Sequence, residues 1–351
     1  MVHKPVITSG EINEEVLRRK MVAMKTLWLN LVWYKRIAIL LVLTFIATFC
    51  IVNNSKTNVE KTLKAQINIS TSSEKEYWTN YIAKQPMLNE DLLIDVVRNV
   101  FVDWSPTRDM EYHFDKNPPK LTGQIGMPVI VDKLLGEKQN GFFIEAGALD
   151  GEAHSNTLLF ELQRNYTGLL IEPSLYYPKM LARKRKVASV NACLSTKRIP
   201  HVVEFLSYKG IGGIKGEVKG WASNDVKANA EVLQALCLPF ISILYAIGSP
   251  SVDYFSLDIE GVELDVLKTI PWDKVDIKIF SIEVVGNGRE AYGEKVDKVM
   301  LAAGYTKILN LCCDEIKLDN VYVRNDFRSP LFKYDGRPRL MQSKNNAIIE
   351  I

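Results

Sequence analysis

Gly141 to Gly151 reads GFFIEAGALDG. The apolar run Phe142-Phe143-Ile144 has the length of a buried strand. It ends on Glu145 and breaks into a loop carrying Gly147, Asp150 and Gly151. Two later stretches repeat this form. LLIEP closes its apolar run on Glu172, and YFSLDIEG closes on Asp258 and Glu260. In an open parallel sheet, ligands sit outside the carboxyl ends of the strands, where the strand order reverses. Acids at three such ends outline one pocket, suited to a ligand rich in hydroxyls and amines.

Around this centre, strands alternate with helices. MPVIVDKLL, 127–135, reads as a helix with Pro128 in its first turn. Strand one is 141–146, followed by a helix over Ser155 to Gln163. Strand two is 167–172, stopped by Pro173, and a basic helix over Pro178 to Lys186 leads to strand three at 187–194. The glycine-rich stretch 205–235 reads as a hairpin loop, with a lid as the alternative. An apolar helix spans Leu238 to Ile247, strand four spans 252–258, and EGVELDVLKTI forms the next helix. Strand five runs from Ile277 to Val285, a helix covers Lys295 to Ala303, and a terminal hairpin turns around Asp314-Glu315. Upstream, Leu88 to Val102 carries helical spacing and 104–120 is an irregular connection. The pattern predicts an α/β sheet with helices on both faces.

The chain has 351 residues and a net charge of +3, too little to argue for nucleic acid, and it has no basic cluster with interleaved aromatics. Residues 37–52, IAILLVLTFIATFCIV, are uncharged and somewhat shorter than the ~20 residues of a comfortable membrane span. Lys35 and Arg36 can snorkel at one end, so an uncleaved single span is expected. Basic residues before it place the amino terminus in the cytosol and the bulk of the chain in the lumen. Three glycosylation patterns agree, beginning at Asn53, Asn68 and Asn165. The expected organisation is a cytosolic tail over 1–36, the span over 37–52 and a stem over 53–85. A helical lead-in and connection then cover 86–126, the main domain 127–325 and a polar tail 326–351. Of the five cysteines, Cys50 lies in the span; Cys193 and Cys237 are the expected disulfide, with free buried thiols the alternative. No cysteine or histidine spacing indicates a metal site.

A dinucleotide site needs GxGxxG for its pyrophosphate. Here Asp150 would repel phosphate, and an acidic loop suits a cationic ligand. S-adenosylmethionine, with its sulfonium, ammonium and ribose diol, fits. Glu172 is expected to accept hydrogen bonds from the ribose hydroxyls, and Gly147 to let backbone approach the ligand. Glu145 or Asp150 is expected to face the ammonium. Gly151 and Asp258 complete the expected cofactor set.

These motifs, with FFIEAGALDG, LLIEP, VDYFSLDIEGVELDVLKTI, Ala303-Gly304-Tyr305 and DNVYVR, resemble the FkbM-type methyltransferase family over roughly 130–325. The resemblance implies a class I methyltransferase-like, Rossmann-like fold with a seven-stranded sheet in the order 3-2-1-4-5-7-6. The runs LIDVVRNVFV and GALDGEAHSNTLLFE are similar to membrane-anchored arthropod members of that family. Those imply a type II protein of the endoplasmic reticulum, Golgi and endosomes that moves protein cargo, growth-factor precursors acting on the EGF receptor. One position departs from the family pattern K-I-D-V-E-G: Ser256 stands where the lysine is expected. His154 is the single histidine at the expected rim, so Asp258, Glu260 and Glu283 are the candidate general bases. Two functions follow. One is an O-methyltransferase acting on a sugar or other hydroxyl. The other is a tethered cargo-sorting protein that keeps the fold without turnover, which Ser256 and the arthropod resemblance favour.

Overall fold

Phe143 and Ile144 are neighbours in sequence, yet each is buried in a different core. The same split separates Tyr254 from Phe255 and Ile279 from Phe280. Successive side chains of a strand point to opposite faces, so these pairs mark a sheet covered on both sides. The computed structural model describes residues 72–84, 90–104, 109–123, 125–174, 178–208, 211–218, 229–285, 289–312 and 317–332. The expected cytosolic tail and span, the stem up to 71 and the end of the polar tail lie outside the described residues. Among the described residues, no helix is long and apolar enough to cross a membrane.

Helices α1 (Ser72–Lys84) and α2 (Glu90–Val96) come first, and a π-helical turn, Val97–Phe101, extends α2 into β1 (Val102–Asp103). There follow α3 (Met127–Leu134), β2 (Phe142–Ala146), α4 (Leu158–Arg164), β3 (Thr167–Ile171), α5 (Pro178–Lys184), β4 (Ala188–Val190) and β5 (Cys193–Leu194). The next elements are β6 (His201–Tyr208), β7 (Ile211–Ile214), β8 (Glu231–Leu238), α6 (Phe240–Ala246), β9 (Val252–Leu257) and α7 (Glu263–Thr269). The chain closes with β10 (Ile277–Val285), α8 (Arg289–Ala302), β11 (Tyr305–Cys312) and β12 (Lys317–Arg324).

The main sheet has eight strands, not seven, in the order β1-β4-β3-β2-β9-β10-β12-β11. β4, β3, β2, β9 and β10 are parallel, while β12 runs antiparallel to β10 and β11. β1 adds an antiparallel edge through Val102↔Val190. Residues from α3, α4 and α5 fill one core and residues from α2, α6, α7 and α8 the other.

The expected third strand, 187–194, is two strands in two sheets. Asn191 breaks it, its side-chain amide donating to the carbonyls of Glu172 (2.9 Å) and Ser174 (3.0 Å). Beyond the break, β5 joins a second sheet, β5-β8-β6-β7. The glycine stretch is partly this sheet: β6 and β7 pair as an antiparallel hairpin, with Gly212 and Gly213 inside β7. A Cβ at Gly212 would come within 2.5 Å of the Phe205 ring, so the glycine lets that ring lie on the neighbouring strand. β8 occupies 231–238, which moves the start of the expected 238–247 helix to Phe240, with Pro239 at its cap. A disulfide joins Cys193 to Cys237 at directly paired positions of β5 and β8.

Candidate functional site

A cavity of about 210 Å³ opens at the carboxyl edge of β2, β3 and β9. Glu145, Gly147, Glu172, Asp258 and Glu260 line it, so five of the expected site residues share one hollow. Phe205, Ser207, Gly212 and Ile214 of the second sheet form a facing wall. No lysine or arginine is among the described residues that line it.

Glu172 follows β3. Its Oε2 accepts the amide of Leu149 and its Oε1 the amide of Ser174, both at 2.9 Å. Burial pushes its carboxyl up to about 7, against the lowering effect of those two amides, and the charge of Asp258 adds to the rise. Each carboxylate oxygen has two lone pairs, and one amide uses one. A second hydrogen bond at each oxygen, as from a diol, fits this geometry.

Gly147 has φ +83°, and a Cβ there would lie 1.8 Å from the carbonyl oxygen of Asp258. The close approach that requires glycine is thus between the loops after β2 and β9. It sets the floor of the cavity before any ligand is considered.

Glu145 and Asp150, expected to face a ligand ammonium, both have partners within the protein. Glu145 Oε1 accepts the Asn156 amide at 2.6 Å, and Oε2 accepts the hydroxyls of Ser155 (2.9 Å) and Thr157 (2.5 Å). The Arg185 guanidinium, with no solvent exposure, reaches the same oxygen at 3.4 Å. Glu145 therefore fixes the approach to α4 and shares the Arg185 charge with Glu161. Arg185 also binds Glu161 at 2.6 Å and the carbonyl of Gly151 at 3.1 Å. Burial alone would lower the Arg185 pKa; Glu161 and Glu145 outweigh it and hold it above its ordinary value.

Asp150 and Gly151 are not on the cavity. Asp150 Oδ1 accepts the amides of Glu152 (3.0 Å) and Ala153 (2.8 Å), and Oδ2 pairs with Lys184 at 2.8 Å. Burial raises its pKa, but Lys184 and the amides prevail and keep it low. Lys184 also reaches Asp115 (2.5 Å) and Glu152 (2.9 Å), so its ammonium fills that acidic cluster. Gly151, at φ +84°, leaves room for Arg185, whose Cγ would lie 2.7 Å from an added Cβ.

Asp258, Glu260 and Glu283 bring carboxylate oxygens within 4.8 Å of one another. Asp258 and Glu260 lie on the loop after β9, and Glu283 is buried on β10. That loop is pinned by Glu263, a residue outside the expected set. Its carboxylate accepts the amides of Ile259 and Gly261 at 3.0 Å, and the Tyr292 hydroxyl donates to it at 3.0 Å. The pinning holds Glu260 at φ +62°, a left-handed conformation costly for a side chain larger than glycine. Burial raises the Glu263 pKa.

Ser256 is buried on β9 in a run of hydroxyls. Tyr254 and Ser281 meet at 2.7 Å, Ser281 donates to Ser256 at 3.3 Å, and the Asn156 amide donates to Ser256 at 3.1 Å. Asn156 and the second-sheet wall are site residues that sequence patterns did not mark.

Residues 145–307 match the family model of the Methyltransferase FkbM domain. This part of the chain is a methyltransferase-like domain, and its fold is Rossmann-like with a large mixed sheet. The human methyltransferase 10 domain containing protein is 11% identical with a TM-score of 0.34, over 67% of this chain and 95% of its own. Precorrin-6y C5,15-methyltransferase from Geobacter metallireducens is 10% identical with a TM-score of 0.34, over 61% and 100%. No curated protein matches the chain in sequence.

Proposed function

We propose that the cavity binds S-adenosylmethionine and that the domain passes its methyl group to a hydroxyl of a sugar or similar acceptor. The observation that carries this reading is Glu172, held by two backbone amides at the cavity edge with acceptor capacity left on both oxygens. The residues present fit the ligand: among the described residues the lining supplies carboxylates and no lysine or arginine, which suits a cation and disfavours a phosphate.

When bound, S-adenosylmethionine supplies a methyl group activated on a sulfonium. Glu172 would hold the ribose hydroxyls. Gly147 and Asp258 keep the two loops at one fixed separation. On this reading Asp258 and Glu260, on the loop pinned by Glu263, would take the proton of an acceptor hydroxyl. Glu283 would support them from β10. Positioning supplies most of the acceleration in such a site. Titration calorimetry with S-adenosylmethionine tests the reading. Binding to the wild-type chain and its loss in Glu172→Ala are expected; no binding to the wild type would end it.

A second reading is favoured by Ser256. Its hydroxyl is engaged by Asn156 and Ser281, and no cationic side chain stands at that position to orient an acceptor. On this reading the domain keeps the ligand site without turnover. It serves a single-span type II protein, with the domain in the lumen, that escorts growth-factor precursors from the endoplasmic reticulum to the Golgi, as its resemblance to the insect protein Star implies. Methyl transfer by the purified domain to any co-purifying acceptor would exclude this reading.

A further inference from the structure

We propose that Asn165 carries an N-linked glycan, on the side of the domain opposite the cavity. The proposal rests on the luminal placement put forward above. Asn165-Tyr166-Thr167 is the one Asn-X-Ser/Thr triplet among the described residues. It turns the chain from α4 into β3. Asn165 closes the helix in the left-handed conformation, φ +53°, which asparagine tolerates better than most residues. Tyr166 is buried and packs its ring against Phe160 at 5.3 Å. Asn165 and Thr167, on either side of it, are both exposed. The buried tyrosine thus anchors the triplet while its two recognised side chains face solvent.

The position also leaves the site clear. Thr167 begins β3, and Glu172 follows the end of that strand at the cavity. Five strand residues span about 16 Å, so a glycan at the amino end projects away from the opening. The side-chain amide of Asn165 donates to the Asn140 side-chain oxygen. A glycosylated amide keeps one N–H, so this contact survives modification. Independently, the Cys193–Cys237 disulfide, with both sulfurs buried, marks a domain that folds in an oxidising compartment, where such triplets are modified.

The donor is a lipid-linked diphospho-oligosaccharide. A bond forms between Asn165 Nδ2 and the first sugar carbon, and the bond from that carbon to the diphosphate oxygen breaks. The diphosphate leaves on its lipid, and one Nδ2 proton passes to solvent.

The test expresses the full chain in cells with a secretory pathway and compares gel mobility before and after peptide-N-glycosidase. Asn165→Gln is expected to lose one glycan step relative to wild type. Thr167→Val removes the hydroxyl without touching the asparagine and is expected to lose the same step. Glu137→Asn with Gln139→Thr places a reporter triplet on an exposed turn and is expected to add one step. If the reporter adds a step and neither Asn165→Gln nor Thr167→Val loses one, the glycan proposal falls and the luminal reading stands. If neither the reporter nor Asn165 contributes, both fall.

Discussion

Replacing Glu172 with glutamine separates the cost of a buried charge from the loss of an acceptor. The Glu172 carboxyl titrates near 4.5 in an unfolded chain and is pushed up to about 7 in the fold. Between those values the unfolded chain is ionised and the folded chain still holds its proton. Ionisation therefore costs stability, and the Glu172 contribution falls as pH rises from about 4.5 to about 7, by about 3 kcal/mol in all. Glutamine has no such slope. It also has one acceptor oxygen for two amide donors, Leu149 and Ser174, so one amide loses its partner at about 1–3 kcal/mol. Near pH 5 the variant is expected to be less stable than wild type by that amount. Near pH 8.5 the two are expected to be close, because wild type then bears the full cost of its buried charge. Urea denaturation of both proteins at a series of pH values reads the difference directly. Parallel stability curves for the two proteins would mean that the ionised carboxylate carries no penalty in the fold.

Arg185→Met leaves Glu145 and Glu161 buried without their counter-charge, and a loss of about 3–5 kcal/mol in urea denaturation is expected. A loss under about 1 kcal/mol would show that other groups neutralise the pair. Gly147→Ala forces a Cβ onto the Asp258 carbonyl and requires the two loops to separate. Calorimetry should show ligand binding weakened at least tenfold, and unchanged binding would reject Gly147 as the floor of the site. The Cys193–Cys237 bridge closes 44 residues, worth about 4 kcal/mol in the loop-entropy account, so Cys237→Ser should lower stability by that order. Because Cys193 and Phe205 line the cavity and pack with Cys237, the same variant should also weaken the ligand. Tyr292→Phe removes one donor to Glu263 and is expected to cost about 1 kcal/mol, read from the same denaturation curves.

The edge of the sheet was legible because its signal is local. An apolar run followed by an acid and a glycine states strand, end and loop within ten residues or so, as at Phe142 to Gly151. What those acids touch was not legible, because their partners are distant in the chain. Arg185 lies 40 residues from Glu145 and 24 from Glu161, on a stretch that read as a basic helix. The division among the acids depends on which turn each occupies. Glu260 and Glu263 sit in one short segment, EGVELD; backbone geometry alone makes Glu263 the clasp and leaves Glu260 at the cavity. The second sheet escaped for another reason. β6 and the start of β8 mix exposed and buried positions, as in HVVEFLSY and EVLQALCL, without clean alternation. β1 is two residues long and is held by its partner rather than by its own sequence.

The two proposed readings differ most over Ser256, whose neighbours are set by the sheet register. Ser256 is paired with Glu145 on β2 and with Ser281 on β10. Glu283 follows Ser281 by two residues along β10, so its side chain shares the face of Ser256, and Asp258 brings a carboxylate oxygen within 4.8 Å of the Glu283 carboxylate. A lysine in place of Ser256 would rise among three carboxylates, and its charge would be matched there rather than stranded. The hydroxyl that replaces it instead closes a neutral chain from Tyr254 to Asn156. Ser256→Lys should therefore fold, with a melting temperature within a few degrees of wild type. It would hold a donor at the cavity where an acceptor hydroxyl must be oriented. If the serine is what silences the site, the variant should gain methyl transfer by roughly a hundredfold, the scale of one positioned proton-handling group. Radiolabelled methyl transfer to a panel of sugars and other hydroxyl compounds measures it. A folded Ser256→Lys variant that binds S-adenosylmethionine and transfers no more than wild type would show that turnover is limited elsewhere. The acidic loop from Asp258 to Glu260 would then be the next place to look.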